Sequence, residues 1–217
     1  MAEYPDEWKI KAIDGRFAWL DDHADGWQFG ETGFLKAICD RIGVDQAVEI
    51  GAGDGTDALP LTLGFLYDRG VPTVLFEKDE ASRAALEQRY PLADVRGEWS
   101  LDKPQCGLIF GRACVVVDVD SVDYQIASSV TYGLTSGNPA VVCVEHYDHC
   151  GPNAKDAYGV PPKWLLGQQL AEGGFRIQAG SASIEDMMTG HGFTLVGISR
   201  VNSVYVRSDL VDALEGC

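Results

Sequence analysis

Four short stretches hold the side chains that can do chemistry. Val48 to Gly55 reads V-E-I-G-A-G-D-G, with glycines at 51, 53 and 55 and Glu49 two residues ahead of the first. Glycine allows a sharp turn and lets a ligand approach bare backbone. Gly51, Ala52, Gly53, Asp54 and Gly55 are therefore candidates to hold a nucleotide-like ligand at the carboxyl edge of a doubly wound sheet. T-V-L-F-E-K ends an apolar run in Glu77, 22 residues beyond Gly55, with Lys78 next as a further candidate to hold the ligand. A carboxylate at that place can pair with two vicinal ribose hydroxyls. C-V-V-V-D-V-D ends in Asp118 and Asp120, and A-V-V-C-V-E-H ends in Glu145 and His146. Acids at strand ends are costly to bury without partners, and a positioned imidazole or carboxylate can take a proton from a hydroxyl. His146 leads that set, followed by Asp118 and Asp120. Each has a plainer reading as a loop histidine or a surface acid.

These groups need a frame to present them. The spacing of Phe34, Leu35, Ile38 and Ile42 predicts a helix over 32–42, capped by Thr32 and closed by Gly43. Residues 46–50 follow as a strand apolar enough to be buried on both faces. A helix over 57–67 would aim its free N–H groups at the glycine turn, where they favour a carboxylate. Strand 73–76, helix 79–90 with Ala84, Ala85, Leu86 and Tyr90 inward, and a short strand within 94–99 come next. Trp99 or its neighbours are placed to stack on a base. A loop or partial helix over 100–113 leads to strand 114–119, a helix from Asp123 to about 130, and strand 140–145. The strands starting at 46, 114 and 140 are expected to lie side by side, so that Asp118, Asp120, Glu145 and His146 converge. Helix 181–190 and strands 193–198 and 203–207 end the chain in an antiparallel hairpin. The expected class is α/β, a Rossmann-like doubly wound sheet, mostly parallel.

Residues 1–30 show no clear period and read as an N-terminal arm ahead of one domain over 31–217. The arm carries Trp8, Phe17, Trp19, Trp27 and Phe29, expected to pack on the main body or on a neighbouring subunit in a homo-oligomer. Asp21, Asp22, His23 and Asp25 resemble a metal cluster on paper but read as a solvated acidic turn. A glycine- and proline-rich insertion over about 147–180 reads as a lid over a substrate.

The 217 residues are 46% apolar and 23% charged, the make-up of a water-soluble globular chain. The net charge of −16, from 33 acids and 17 bases, disfavours nucleic acid as a partner. No apolar run is long enough to span a bilayer, and no leader pattern opens the chain, so a cytoplasmic location without a membrane partner is expected. The six cysteines form no C-x-x-C pair; Cys114 and Cys143 read as small buried apolar groups.

The glycine spacing does not match a dinucleotide fingerprint, which needs a glycine where Thr56 stands. E-I-G-A-G-D-G instead resembles motif I of the class I S-adenosylmethionine (SAM)-dependent methyltransferases. Three stretches extend the likeness. They are V-E-I-G-A-G-D-G-T-D with L-F-E, then V-V-V-D-V-D-S-V-D-Y-Q-I with V-V-C-V-E-H, then the tail H-G-F-T-L-V-G-I-S-R-V-N-S-V-Y-V-R-S-D-L. Together they resemble the FkbM-type methyltransferases over about residues 46–210. The resemblance implies a seven-stranded methyltransferase sheet, SAM as cofactor, and methyl transfer to a hydroxyl oxygen of a small molecule or sugar. Gly51 to Gly55 would hold the methionine part and Glu77 the ribose, with Glu49 ordering the first turn. Ser121 and Lys78 depart from the glycine and proline that relatives often carry there. A variant, not the favoured one, has Mg²⁺ held by Asp118, Asp120, Glu145 and His146. The rival reading is a SAM- or nucleotide-binding protein without catalysis, acting as a sensor or assembly component.

Overall fold

The computed structural model describes residues 6–25, 29–56, 61–101, 105–119, 123–131, 139–146 and 180–215. The expected lid over 147–180, together with Asp120, Ser121 and Trp27, lies outside the described residues, apart from Gly180. Eight strands form one sheet: β1 (Lys11–Ala12), β2 (Gln46–Ile50), β3 (Thr73–Phe76), β4 (Asp94–Arg96), β5 (Ala113–Val117), β6 (Val141–Glu145), β7 (Phe193–Ile198) and β8 (Asn202–Arg207). Their order across the sheet is β1-β7-β8-β6-β5-β2-β3-β4. From β6 to β4 all pairings are parallel, while β8 runs antiparallel to both β6 and β7. The chain builds β2, β3 and β4 outward, then returns to lay β5 and β6 on the other side of β2. The reversal makes a crevice between β2 and β5, the place where open α/β sheets bind ligands.

β2 and β5 have every residue buried, so their side chains feed two cores in alternation. Ala47, Cys114, Val116, Cys143, Val204 and Val206 face one layer. Val48, Ile50, Val115, Val117, Val142 and Tyr205 face the other. Helix α1 (Glu31–Ile42) covers the first face with Phe34, Leu35, Ile38 and Cys39. Burying such a side chain stabilises the fold by roughly 1.5–3 kcal/mol. Helices α4 (Asp123–Thr131) and α5 (Ser181–Gly190) cover the second face. Between α1 and α4 in sequence, α2 (Gly64–Tyr67) and α3 (Glu80–Arg89) flank the β3 side. Cys39, Cys114 and Cys143 are buried free thiols, as expected for Cys114 and Cys143.

Several boundaries differ from the sequence expectation. Thr32 does not cap α1: the helix starts at Glu31, and the cap position is Gly30, with φ of 89° and no side-chain hydrogen bond. A Cβ on Gly30 would lie 2.8 Å from the Ala24 carbonyl carbon, so the arm presses directly on the helix start. Gly43 closes α1 in the left-handed conformation, as expected. Within the described part of 57–67 only Gly64–Tyr67 is helical, because the Thr62 and Leu63 amides turn to the Glu49 carboxylate instead of to backbone carbonyls. Asp79 accepts from the Ser82 amide as the cap of α3, and of the four side chains expected inward only Leu86 is fully buried while Ala84 is exposed.

The arm adds a strand beyond the expected seven. β1 pairs antiparallel with β7, Lys11 opposite Ile198 and Ala12 opposite Gly197. The Ala12 amide donates to the Asp21 carboxylate at 2.7 Å, so the first acid of the 21–25 cluster is a turn ligand of backbone. Phe17 and Leu20, from the 3₁₀ helix Gly15–His23, sink wholly into the α1 core. Among the described residues no helix is long and apolar enough to cross a membrane.

Candidate functional site

The β2 carboxyl end opens into the glycine turn. Gly51, Gly53 and Gly55 all have positive φ, at 90°, 60° and 63°. The Gly51 and Ala52 amides both donate to the Phe76 carbonyl, at 2.9 and 3.1 Å, folding the turn back over β3. A Cβ on Gly51 would lie 1.7 Å from the Asp118 carbonyl oxygen. The turn is thus threaded against the end of β5 with no room for any side chain. Asp54 accepts from the Thr56 amide at 3.0 Å, which shapes the turn's exit. Gly55 rests on the Tyr90 ring, and the Tyr90 hydroxyl donates to its carbonyl at 3.3 Å.

Glu77 sits half-buried at the end of β3. Its Oε2 accepts from the Gly53 amide at 2.9 Å and its Oε1 from the Asp79 amide at 2.8 Å. The second-strand acid is therefore tied to the first-strand turn, and each oxygen keeps a lone pair for a further donor. Lys78 is exposed, and its carbonyl receives the Arg83 guanidinium at 2.7 Å. Trp99 is not a free stacking surface. It packs edge-on against Phe76 at 5.0 Å and donates to the Ser129 hydroxyl at 3.2 Å, within the second core.

Glu49 is buried in the middle of the sheet, 5% exposed. Its two oxygens accept from the Thr62 and Leu63 amides at 2.9 and 3.0 Å, so it orders the segment that follows the turn. Burial pushes its carboxyl up to about 7, helped by the nearby Asp118 charge and opposed by the two amides. A carboxyl raised on folding stabilises the protein fully below its unfolded value near 4.5. That contribution is lost as pH rises through about 7. The loss is on the order of 3 kcal/mol. Denaturant unfolding of Glu49→Gln should accordingly lack most of the fall in stability that the parent chain shows between pH 4.5 and 7.5. Parallel pH profiles for the two proteins would remove this role.

Asp118 stands half-buried just past β5, its amide on the Ile50 carbonyl at 2.9 Å. Asp123 is 1% exposed at the start of α4, and its Oδ1 accepts from the Val119 amide at 2.8 Å. It clamps the acidic exit of β5. Glu145 ends β6 half-buried, and His146 follows it, 1% exposed. The two do not act as one ligand pair, since successive residues of an extended chain point to opposite faces. Among the described residues no three His, Cys, Asp or Glu gather to hold a metal, and Asp118, Glu145 and His146 form no such group.

The sequence reading missed a buried polar knot at the same edge. Glu31 is 2% exposed. Its carboxylate accepts from the Ser199 hydroxyl at 2.9 Å, the Asn202 side-chain amide at 3.2 Å and the Phe29 amide at 2.8 Å. Burial raises its carboxyl above the usual range while those three donors pull the other way. Ser199 and Asn202 belong to the β7–β8 hairpin, whose Val201 carbonyl receives the His146 amide at 2.7 Å. The start of α1, the hairpin tip and the end of β6 are thereby locked together. An acid in the first turn of a helix is so ordinary that no local signal could have marked Glu31.

No family model matches the chain, and no curated protein is similar to it in sequence. Solved structures are similar in fold. A TehB-like SAM-dependent methyltransferase from Corynebacterium glutamicum ATCC 13032 Kitasato has a TM-score of 0.52 at 12% identity, over 88% of this chain and 94% of that one. SAM-bound CalS10, an amino pentose methyltransferase from Micromonospora echinaspora involved in calicheamicin biosynthesis, has 0.53 at 11% identity, over 88% and 95%. The N-terminal domain of EvdMO1 with SAH bound has 0.50 at 13% identity, over 88% and 93%. The chain therefore has the Rossmann-like fold of the class I SAM-dependent methyltransferases.

Proposed function

We propose that this protein is a SAM-dependent methyltransferase that methylates a hydroxyl oxygen of a small molecule or sugar. One observation carries the reading: the Gly53 amide and the Glu77 carboxylate meet at 2.9 Å, joining the carboxyl ends of β2 and β3. A bare-backbone turn and a carboxylate, joined at the carboxyl edge beside the point where strand order reverses, suit a nucleoside with vicinal hydroxyls. The space a Gly51 side chain would need is filled by Asp118 backbone, so the turn is built for close approach of a ligand on its other side. Neighbours in fold are bound to SAM and SAH, which is in keeping with this cofactor. The FkbM-type likeness rests on the D-V-D, V-E-H and tail motifs of the sequence.

In this reading Gly51 to Gly55 hold the methionine part, Glu77 accepts from the ribose hydroxyls, and Glu49 keeps the following segment in place. Asp118 closes the turn from the β5 side. SAM supplies an activated methyl on its sulfonium. The protein's own work is to orient the acceptor oxygen and to take its proton. His146 is the base, fixed at the end of β6 by its amide on Val201; Asp118 and Asp120 are the reserve. With a panel of hydroxylated small molecules and sugars, read by release of S-adenosylhomocysteine, His146→Gln should lower kcat by roughly 10²–10⁴-fold. Its affinity for S-adenosylhomocysteine should stay unchanged. Tight cofactor binding without turnover of any acceptor, and no effect of His146→Gln, would favour the non-catalytic sensor instead.

A further inference from the structure

We propose that the acceptor carries an oxyanion, a carboxylate or phosphate, which docks on Arg200 at the tip of the β7–β8 hairpin. The inference deepens the methyltransferase reading and rests on it for the word acceptor, though not for the anion site itself. β8 runs antiparallel to β6, so its first residue, Asn202, lies opposite Glu145 at the carboxyl edge of the sheet. Arg200 stands just before that pairing, one residue from Val201, whose carbonyl holds the His146 amide at 2.7 Å. The hairpin tip is thus the outer wall of the edge on which His146 and Asp118 sit.

The side chain is held ready. The Arg200 guanidinium carbon lies 4.0 Å from the centroid of the Trp8 ring. The Arg200 amide donates to the Trp8 carbonyl at 3.3 Å, so backbone and side chain both align the pair. Trp8 itself is backed by Phe29 at 5.8 Å. Stacking on an indole face fixes the plane of a guanidinium and leaves its N–H edge open for bidentate contact with a planar or tetrahedral anion.

Its outward edge is open. Among the described residues Arg16, Arg69, Arg96 and Arg207 sit in ion pairs with carboxylates. Arg41, Arg83 and Arg112 donate to backbone carbonyls. The Arg200 side chain does neither among the described residues and keeps its ring contact with Trp8. It is exposed, at the rim of the candidate site. Strands lie about 4.8 Å apart. Trp8 leads into β1, three strand positions from β6, and the hairpin tip lies between. The oxyanion and the methylated hydroxyl of the acceptor are accordingly separated by two to three strand spacings, on the order of 10–15 Å. An acidic or phosphorylated oligosaccharide, or an extended hydroxylated acid, has that reach.

The test uses the full chain with inorganic phosphate and with benzoate as probes, followed by NMR of the Arg200 side-chain Nε–H and the Trp8 indole N–H. Saturable shifts at both groups are expected. Arg200→Gln should weaken binding by on the order of tenfold or more, and Arg200→Lys should fall between, having charge without the planar fork. Arg200 is exposed, so both variants should keep the parent's melting temperature. Calorimetry with S-adenosylhomocysteine on the same samples reports on the cofactor separately. Cofactor binding without any saturable response to either anion overturns the oxyanion site and leaves methyl transfer standing. Anion binding that Arg200→Gln does not weaken also overturns it. Anion binding at Arg200 with no cofactor binding supports the site and removes methyl transfer.

Discussion

Gly51→Ala is expected to abolish measurable binding of S-adenosylmethionine and S-adenosylhomocysteine. Two costs act together. The backbone at 51 has φ of 90°, a region that costs an L-residue roughly 1–2 kcal/mol or more. The new methyl would sit 1.7 Å from the Asp118 carbonyl oxygen and 2.6 Å from its carbon, both rigid backbone. Either the turn or the end of β5 must move, and with it the amides of Gly51 and Ala52 that now reach Phe76. A loss of about 3 kcal/mol in stability is in the range of severe single changes. For a chain of this size that is a fall of roughly 6–12 °C in Tm. Gly97→Ala is the matched control, since a Cβ there meets nothing within 4 Å. It should leave both melting temperature and cofactor affinity unchanged. Calorimetry that finds parent-like affinity in Gly51→Ala would mean the cofactor lies elsewhere.

Replacing Glu77 should be nearly as damaging to binding but gentler on the fold. Its oxygens hold the Gly53 and Asp79 amides at 2.9 and 2.8 Å, and in the proposed complex they also accept from the ribose. In Glu77→Gln one oxygen becomes an N–H₂ group that must face one of those amides, donor against donor. Hydrogen bonds to a charged group are each worth about 1.5–3 kcal/mol, so binding should weaken by roughly 10- to 150-fold. The 2′-deoxy form of S-adenosylhomocysteine separates the two roles. The parent should bind it much more weakly than the ribose form, and Glu77→Gln should bind both alike. A deoxy penalty that survives the substitution would take the ribose away from Glu77 and leave it a backbone clamp.

Much of the frame was legible along the chain because its signals are local. Strand 46–50 and helix 181–190 follow from their apolar spacing, and the structure has them at those residues. The E-x-G-x-G-x-G spacing and Glu77 identified the carboxyl edge, since a positive-φ turn after a buried strand has few other uses. Gly43 and Asp79 marked helix ends through cap chemistry that needs only neighbouring residues. The burial of β2 on both faces also followed from a run too apolar to face water.

Tertiary structure decided the rest. Trp99 was placed near a base by its position after a strand, yet Phe76 and Ser129 took it into the core. The arm was expected to pack its aromatics on the main body or on a neighbouring subunit; Phe17 does sink into the core, and the arm also gives the sheet a strand, because β7 offered an open edge to Lys11 and Ala12. Glu31 finds Ser199 and Asn202 at separations of 168 and 171 residues. Arg200 finds Trp8 across almost the whole chain. The amino-acid order by itself determined the periodic elements and the glycine turn, since hydrophobic period and backbone freedom act over a few residues. Which buried acid meets which hydroxyl, and which arginine comes to lie on which indole, depends on strand order, which brings distant segments to one edge.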